Sequence, residues 1–281
     1  MLFEFLGTGT SAGVPSIGCH CAVCTSEDPR DQRLRTSACL RFTDRNGQGR
    51  TILIDAGPDL RQQALRSGLE RADAILITHN HVDHVFGLDE VRRFNVVMDQ
   101  PIDLYADAHT HESLQRVFKH IFDAKSNIQP SFVASLIAHT IEPGACFEVH
   151  GVRVEPINLL HGRLPVLGFR FDRVDGGDPG PLPLAYCTDV SRIPPETWQV
   201  LTGLRTLVID GLRNRKHPTH MTISQAVEVA ERVGADQSFL VHMSHEIGHA
   251  RTQGELPAGV WLAYDGLTLG QGTGIADKSR G

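Results

Sequence analysis

Short apolar runs recur along the whole chain, and glycine, proline or polar positions separate them. Runs of this length that are rich in β-branched and aromatic residues are typical of β-strands. The pattern predicts these strands: LFEFL, TSACLRF, TILIDAG, AILITH, IDLYA, VRVEPIN, LGFRF, LAYCTD, TLVIDG, SFLVHM, VWLAYDG and LTLG.

Helical periodicity appears between some of these runs. In PDLRQQALRSGLE, Pro58 suits a first helical turn, and we place Leu60, Ala64 and Leu65 on one face. A second helix is predicted in TISQAVEVAERVGA.

The start and the end of this second helix are both marked in the sequence. Thr222 is a candidate N-cap, and Gln225 three residues later completes a capping box. Gly234 is a natural C-terminal stop.

Many strands with interspersed helices predict an α/β fold in which two sheets pack face to face with helices outside. We expect a single domain over residues 1–270, with a loop at 173–183 and a disordered tail at 271–281.

Composition narrows the class of protein. The chain has 281 residues and a net charge of −6, so a basic nucleic-acid-binding face is not expected. No apolar run reaches the length of a membrane span, and the N-terminus MLFEFLGTGTSAG lacks the features of a signal peptide. A cytoplasmic location is therefore predicted.

The stretch ITHNHVDHVFGLDE holds His79, His81, Asp83 and His84 directly after an apolar strand. Imidazole nitrogens and carboxylate oxygens are ligands for Zn²⁺, Mn²⁺ or Fe²⁺. Four ligands this close in sequence cannot easily converge on one ion. Two adjacent ions fit better, the first two histidines on one and the last two residues on the other. The alternative is a solvated turn that happens to be rich in histidine.

A binuclear site needs further ligands, and candidates follow other predicted strands. His161 follows VEPINLL, Asp189 follows LAYCT and could bridge both ions, and His242 follows SFLV. Each of these taken alone would more often be a loop or cap residue, but together they supply the missing ligands.

These motifs, with the opening FLGTGTSAGVP and the strand LIDAG that ends in Asp55, resemble the metallo-β-lactamase superfamily of binuclear hydrolases. The resemblance covers residues 2–270 and implies a four-layer αβ/βα sandwich with metals at one edge. It implies one metal on His79, His81 and His161, a second on Asp83, His84 and His242, and Asp189 between them.

Three cysteines near the N-terminus form a second candidate metal site. Cys19, Cys21 and Cys24 make C-x-C-x-x-C, and His245 could complete a tetrahedral zinc site. Three reduced cysteines without metal are the alternative, and a redox role is less expected because the motif is not C-x-x-C on a βα unit.

The cysteine cluster with His245 is similar to the phosphoribosyl cyclic phosphate phosphodiesterase family of the carbon–phosphorus lyase pathway. That resemblance implies hydrolysis of 5-phosphoribosyl 1,2-cyclic phosphate to ribose 1,5-bisphosphate, with two Mn or Zn ions in the active site and one structural Zn. It also implies a catalytic role for His220, 22 positions before His242. The alternative is that His220 only flanks the helix cap at Thr222.

A mechanism follows from these assignments. Two divalent ions would activate water for attack on phosphorus. Asp83 and Asp189 would orient the nucleophile, and His220 would protonate the leaving alkoxide.

Basic and histidine-rich stretches elsewhere are weaker candidates. Possible contacts to a second phosphate are Arg213, Arg215 and Lys216, with Arg92 and Arg93 as further candidates, although such runs are usually solvated faces. The segment with His109, His111 and His120 is predicted to be an exposed helix.

Other functions stay open at this point. The substrate could be another phosphodiester, such as a 2′,3′-cyclic nucleotide or an RNA end. The chain could also be a coenzyme-biosynthesis relative of the pyrroloquinoline quinone B type, a metal-binding protein without hydrolytic activity, or a mononuclear iron oxygenase. The expected partner is a small phosphodiester, without membrane or extended nucleic acid, and a homodimer is left open.

Overall fold

Two mixed β-sheets of seven strands each form the centre of the molecule in a computed structural model that describes residues 1–123 and 132–270. The first sheet has the order β14-β1-β2-β3-β4-β5-β6. Its strands are β1 (Leu2–Gly7), β2 (Ser37–Thr43), β3 (Gly49–Ile54), β4 (Ala74–Leu76), β5 (Ile102–Ala106), β6 (Leu136–Thr140) and β14 (Thr268–Gly270).

The second sheet has the order β13-β12-β11-β10-β9-β8-β7. Its strands are β7 (Phe147–Val149), β8 (Val152–His161), β9 (Leu164–Arg173), β10 (Leu184–Cys187), β11 (Thr206–Asp210), β12 (Gln237–Val241) and β13 (Val260–Leu262). Each sheet is antiparallel in one half and parallel in the other, the parallel halves running from β3 to β6 and from β10 to β13.

The parallel strands are joined through helices, as parallel pairing requires. The helices are α1 (Leu60–Ser67), α2 (Val82–Val85), α3 (Arg92–Met98), α4 (Ala108–Val117), α5 (Lys119–Phe122), α6 (Ile223–Val233) and α7 (His249–Glu255). Among the described residues, short 3₁₀ segments cover Pro29–Asp31, Leu88–Val91 and Pro195–Gln199.

The main core lies between the two sheets. Phe3 and Phe5 of β1 pack edge to face with ring centroids 5.1 Å apart, and Phe169 and Phe171 of β9 are also fully buried there. Separate apolar layers join α1 to α4 to the outer face of the first sheet and α6 to the outer face of the second. The predicted four-layer αβ/βα sandwich is therefore confirmed.

Local sequence signals describe some elements better than others. The helix α6 has the predicted capping box between Thr222 and Gln225, and it ends at Gly234 in the left-handed conformation. In α1, however, Leu60 is buried whereas Leu65 is 67% exposed, so two of the residues predicted to share a face differ in environment. Gln63 is buried instead, and its side-chain amide donates to the carbonyl oxygen of Arg35.

Two strands were not predicted from the sequence. In β6, apolar and polar residues do not alternate regularly, and the strand lies at a sheet edge with much of its surface exposed. β7 has only three residues, which is too short for a clear pattern. The loop predicted at 173–183 lies between β9 and β10, except that Arg173 is the last residue of β9. The predicted tail at 271–281 lies outside the described residues.

Candidate metal centre

The candidate ligands meet where strands of both sheets end. His79 and His81 follow β4, His161 is the last residue of β8, Asp189 follows β10, and His242 follows β12. Because the parallel strands of each sheet end on the same side, these polar residues reach one edge of the sandwich.

Three of the strand-end residues adopt the left-handed backbone conformation, which L-amino acids rarely occupy. Their φ angles are 60° at Asp55, 56° at Asp189 and 61° at His242. Such a residue costs on the order of 1–3 kcal/mol and clusters at functional sites. Here the turn directs each side chain toward the edge of the sandwich rather than along the strand.

The H-x-H-x-D-H motif spans the loop after β4 and the short helix α2. His81 occupies the N-cap position of α2, so Asp83 and His84 lie in its single turn. Gly57 makes this geometry possible, because a Cβ atom there would lie 2.0 Å from the carbonyl oxygen of Asp83. The glycine of LIDAG is therefore required by close approach of two backbones.

The donor atoms form two separate groups, and Asp189 lies near both. Within each group all donor atoms lie within 4.8 Å of one another, and the groups are His79 with His81 and His161, and Asp83 with His84 and His242. Asp189 is close to both, since it also forms a group with His79 and His84 and lies 3.3 Å from His242 Nε2. Each group could offer three donor atoms to one ion, with Asp189 near both.

The chemistry of these donors fits divalent cations. Nε2 of His79 is buried without a hydrogen-bond partner among the described residues. Nε2 of His84 lies 3.2 Å from Asp189 and 3.3 Å from Asp83, yet these contacts lack hydrogen-bond geometry. Buried polar atoms in proteins are normally satisfied, so nitrogens that converge in this way are suited to hold ions.

The electrostatics of the group are those of a site that attracts positive charge. Burial alone would lower the pKa of His242, but Asp189 and a contact with Asp83 raise it to about 9. Burial would likewise raise the pKa of Asp189, but His242 and His84 hold it well below its ordinary range. The carboxylates thus stay ionised, and they stabilise positive charge on the imidazoles around them.

Several ligand candidates are held by a second group behind them. Nδ1 of His84 lies 2.7 Å from the carboxylate of Asp55, which also accepts hydrogen bonds from the amide and hydroxyl of Thr78. Nδ1 of His161 donates to the carbonyl oxygen of Thr219 at 2.7 Å. In both His84 and His161, Nδ1 is engaged and Nε2 is left to bind an ion. Metal-binding histidines usually have a hydrogen-bond partner on their other ring nitrogen in this way.

His220 lies beside the same group. Its ring centroid is 4.5 Å from that of His161 and 4.7 Å from that of His242. Nδ1 of His220 contacts the carboxylate of Asp210 at 2.6 Å, and this carboxylate also accepts from the amide of Val190. The helix cap at Thr222 is two residues away, yet the His220 side chain itself faces the candidate ligands.

The cysteine cluster also assembles. Cys19 Sγ and Cys21 Sγ lie 3.2 and 3.4 Å from Nδ1 of His245, and the donor atoms of Cys19, Cys21, Cys24 and His245 all lie within 4.8 Å of one another. The amide of Cys24 and then the ring of His245 lower the pKa of the Cys21 thiol to about 6. A thiolate is the form that binds metal, so the predicted zinc site is chemically well formed.

The residues proposed to grip a second phosphate have a different environment. Glu246 accepts from Arg213 at 3.2 Å and from Arg215 at 2.7 Å, so their positive charge is offset by a carboxylate. Lys216 is exposed. Arg92 pairs with Asp89, so it is not a free phosphate contact either.

The histidine-rich helix is only partly exposed. His111 in α4 is 5% exposed, because its ring contacts the carbonyl oxygen of His139 at 2.9 Å. The prediction that this residue lies on an exposed face is therefore wrong.

Some residues that shape the site were not singled out for this role. Asp55 and Asp210 hold His84 and His220, and both directly follow an apolar strand in the patterns LIDAG and LVIDG. The same strand-end rule that pointed to Asp189 would have found them. His217 was also missed, although its ring lies 5.1 Å from that of His220.

Fold and site together define a metallo-β-lactamase type of protein. Residues 50–243 match the family described as the beta-lactamase superfamily domain, and the chain belongs to that family. A solved structure described as a new diphosphatase from the PhnP family has a TM-score of 0.83 and 39% sequence identity, covering 95% of this chain and 96% of the other.

Two curated relatives add to this comparison. The chain is 39% identical over 267 residues to an octanoyltransferase of Porphyromonas gingivalis, covering 93% of this chain and 50% of the relative. This chain thus spans about half the length of that protein, and the name octanoyltransferase describes the whole protein. A coenzyme PQQ synthesis protein B of Methylobacterium nodulans is 30% identical over 229 residues, covering 73% of this chain and 71% of the relative.

Within residues 1–123 and 132–270, no helix combines the length and the apolar composition needed to cross a bilayer.

Proposed function

We propose that the chain is a binuclear metal-dependent phosphodiesterase for a small cyclic phosphodiester, specifically 5-phosphoribosyl 1,2-cyclic phosphate, with ribose 1,5-bisphosphate as product. The observation that supports this most is the arrangement of two donor groups around Asp189, next to the His220–Asp210 pair. The 39% identity to a structure described as a diphosphatase from the PhnP family supports hydrolysis at a phosphoryl centre. We further propose Mn or Zn for the two ions, a structural Zn on the cysteine cluster, and a cytoplasmic location.

The residues divide into two ligand sets. His79, His81 and His161 would hold one ion, Asp83, His84 and His242 the other, and Asp189 would bridge them. Ions bound there would lower the pKa of a water molecule and offset charge on the phosphoryl oxygens. Asp83 and Asp189 would also accept hydrogen bonds from that water and so orient it toward phosphorus.

His220 is proposed as the general acid. Its Nδ1–H donates to Asp210, which fixes the orientation of the ring beside the candidate ligands. The donor atom of His220 lies within 4.8 Å of those of His161 and Asp189, so the ring reaches the same space as the ligands. Proton transfer to a leaving alkoxide is typically worth about 10²–10⁴-fold.

The test compares leaving groups of different quality. A ribose alkoxide needs a proton to depart, whereas a nitrophenolate does not. His220→Ala should therefore lower kcat/KM for a cyclic ribose or nucleotide phosphate by about 10²-fold more than for an aryl phosphodiester. Metal content is measured in the same samples.

The matched control is Thr222→Ala, which removes the nearby cap but leaves His220 in place. We expect this variant to keep its turnover and to lose about 1 kcal/mol of stability. Equal losses on both substrates in His220→Ala would contradict the general-acid role and would favour binding of metal or phosphoryl oxygen.

A second candidate function is hydrolysis of a phosphoanhydride, which the description of the PhnP-family relative as a diphosphatase favours. The same site would act on it, because a phosphoanhydride also needs phosphoryl charge to be offset. A panel with the ribosyl cyclic phosphate, a 2′,3′-cyclic nucleotide and a nucleoside diphosphate separates the candidates by kcat/KM. A preference of more than about tenfold for the diphosphate would overturn the cyclic phosphodiester as the main substrate.

A further inference from the structure

A second histidine stands beside His220 at the same site. His217 is half-buried, and its ring centroid is 5.1 Å from that of His220. His220 in turn contacts the rings of His161 and His242. His217 thus extends a row of imidazoles from the buried ligand candidates toward the surface, where a substrate would enter.

The hydrogen bonds around His217 determine which nitrogen carries its proton. The backbone amide of Thr219 approaches Nδ1 at 3.4 Å, and the hydroxyl of the same residue lies 3.1 Å from Nδ1. An amide N–H can only donate, so Nδ1 must be the acceptor and the proton lies on Nε2. Nε2 has no hydrogen-bond partner within the described part of the chain, so a donor is left available.

His217 and His220 therefore differ in chemistry although they are three residues apart. Nδ1 of His220 faces the carboxylate of Asp210, which can only accept, so this nitrogen carries a proton. Nδ1 of His217 faces two donors instead. An imidazole whose Nδ1 accepts is neutral, and burial and then the neighbouring His220 and Arg213 lower the pKa of His217 in the same direction. A neutral imidazole donates a hydrogen bond but does not supply a proton to a leaving group.

The segment that carries His217 is anchored to the ligand candidates. The carbonyl oxygen of Thr219 accepts from Nδ1 of His161, while the amide and hydroxyl of the same residue hold His217. One residue thus fixes the position of His217 relative to a candidate metal ligand. A Cβ atom on Gly162 would lie 2.8 Å from Thr219 Cγ2, so the turn after β8 also packs closely against this segment.

We propose that His217 is a substrate-binding residue whose Nε2–H donates to a phosphoryl oxygen at the mouth of the site. This proposal rests on the phosphodiesterase function proposed above and adds a specificity-determining contact to it. It also supplies a polar contact where Arg213 and Arg215 are occupied by Glu246. The contact forms in the ground state and persists in the transition state, so it contributes to binding more than to turnover.

The experiment separates binding from chemistry. In metal-loaded protein, His217→Ala should raise KM for a small cyclic phosphodiester about 5–10-fold while kcat changes less than about threefold, as expected for loss of one neutral hydrogen bond. His217→Gln retains an N–H donor and should recover most of the lost affinity. His139→Ala is the matched control, because it removes another partly exposed histidine, one that pairs with Asp103 on β5.

Calorimetric binding of inorganic phosphate gives a readout that does not depend on turnover. The dissociation constant should rise in His217→Ala by the same factor as KM. Unchanged phosphate binding, a fall in kcat as large as the rise in KM, or loss of metal from the variant would each overturn the proposal. A wild-type protein that binds phosphate but hydrolyses none of the phosphoesters would instead overturn the proposed function, and phosphate binding alone would then decide the role of His217.

Discussion

At the scale of single residues, the groups behind the ligand candidates explain how the imidazoles are held. The carboxylate of Asp55 is fully buried and bonded to His84 and Thr78, while Asp210 holds His220. Partners of this kind fix ring orientation and raise the basicity of the free nitrogen. Changes at Asp55 should therefore affect metal binding although this residue lies behind the ligands.

The first prediction concerns this residue. Asp55→Asn keeps the size of the side chain but removes its charge, so we expect the affinity for Mn²⁺ or Zn²⁺ to fall about 10–100-fold. Competition with a chromophoric chelator measures it. Asp59→Asn is the matched control, since this carboxylate lies on the same loop and pairs with Arg35. Equal affinity in wild type and Asp55→Asn would show that the contact with His84 does not support metal binding.

The second prediction concerns His249, whose ring is 3% exposed. Burial and then Arg30 and Arg33 lower its pKa to about 4. Between this value and the unfolded value of about 6.5, the unfolded chain binds one more proton than the folded protein. The free energy of unfolding should therefore fall by about 1–2 kcal/mol from pH 7 to pH 5 through this residue.

The pH effect of His249 can be isolated with one variant. His249→Phe keeps an aromatic ring against Tyr264, which lies 5.8 Å away, but it cannot bind a proton. Urea unfolding at pH 7 and pH 5 should show a smaller loss of stability in the variant than in wild type. Identical losses would mean that His249 does not titrate in this range.

The ligand candidates could be recognised in the sequence because histidine and aspartate, which bind metals, directly follow predicted strands. His79, His81, Asp83 and His84 follow one strand, and the other candidates also follow apolar runs. The hydrogen-bond partners behind these ligand candidates could not be predicted from the sequence in the same way. Asp55 meets His84 across 29 positions, and His161 meets a backbone carbonyl, a group that every residue has. Only the fold shows which strand ends are neighbours.

At the scale of elements, the segment between β12 and α7 connects the two candidate metal sites. It begins with His242 and includes His245, and a buried arginine holds it in place. Arg33 donates to the carbonyl oxygens of Ser244 and Ile247 and pairs with Asp31 at 2.9 Å. The N-terminal segment thus fixes the loop from which both histidines extend.

The third prediction tests this anchor. Arg33→Met should lower the free energy of unfolding by about 3–5 kcal/mol, because it leaves the largely buried Asp31 without its charged partner. Urea unfolding measures the change. Arg30→Met is the matched control, since its pair with Asp28 is more exposed and should contribute less than about 1 kcal/mol. A loss below about 1 kcal/mol in Arg33→Met would contradict the proposed anchor.

Helices and strands were predicted correctly where the sequence contains both start and stop signals. They were missed or misplaced where contacts with distant residues decide which side chains are buried. The helix α6 has both a capping box and a terminal glycine, so its limits were predicted. In α1 the apolar pattern placed Leu65 on one face with Leu60 and Ala64, yet Leu65 is exposed. Gln63 is buried instead, and its amide donates to the carbonyl oxygen of Arg35. The edge strand β6 has no fully buried face, so its sequence lacks the regular apolar pattern that would predict a strand.

At the scale of the whole molecule, the cysteine cluster joins the N-terminal loop to the second sheet. Cys19, Cys21 and Cys24 meet His245 more than 220 positions away in sequence. A metal bound there would stabilise the folded chain, because the unfolded chain does not preform the site. The cluster should therefore affect stability more than the chemistry at the other site.

The fourth prediction follows from this separation. Cys21→Ser should lose the tightly held zinc and lower the melting temperature, while the protein that remains folded keeps turnover close to wild type. Cys146→Ser is the matched control, because this cysteine is exposed and lies outside the cluster. Equal zinc content and melting temperature in Cys21→Ser and wild type would contradict a structural metal site.

The proposed function requires two ions, which the histidine and aspartate donors would hold with Asp189 near both, to activate water for hydrolysis of a phosphodiester. Protein stripped of its weakly bound metal is titrated with Mn²⁺ while hydrolysis of an aryl phosphodiester is followed. The structure predicts that turnover rises to its maximum at two equivalents in wild type and stays near background in Asp189→Ala. A maximum at one equivalent, turnover without added metal, or near-native turnover in Asp189→Ala would contradict the account.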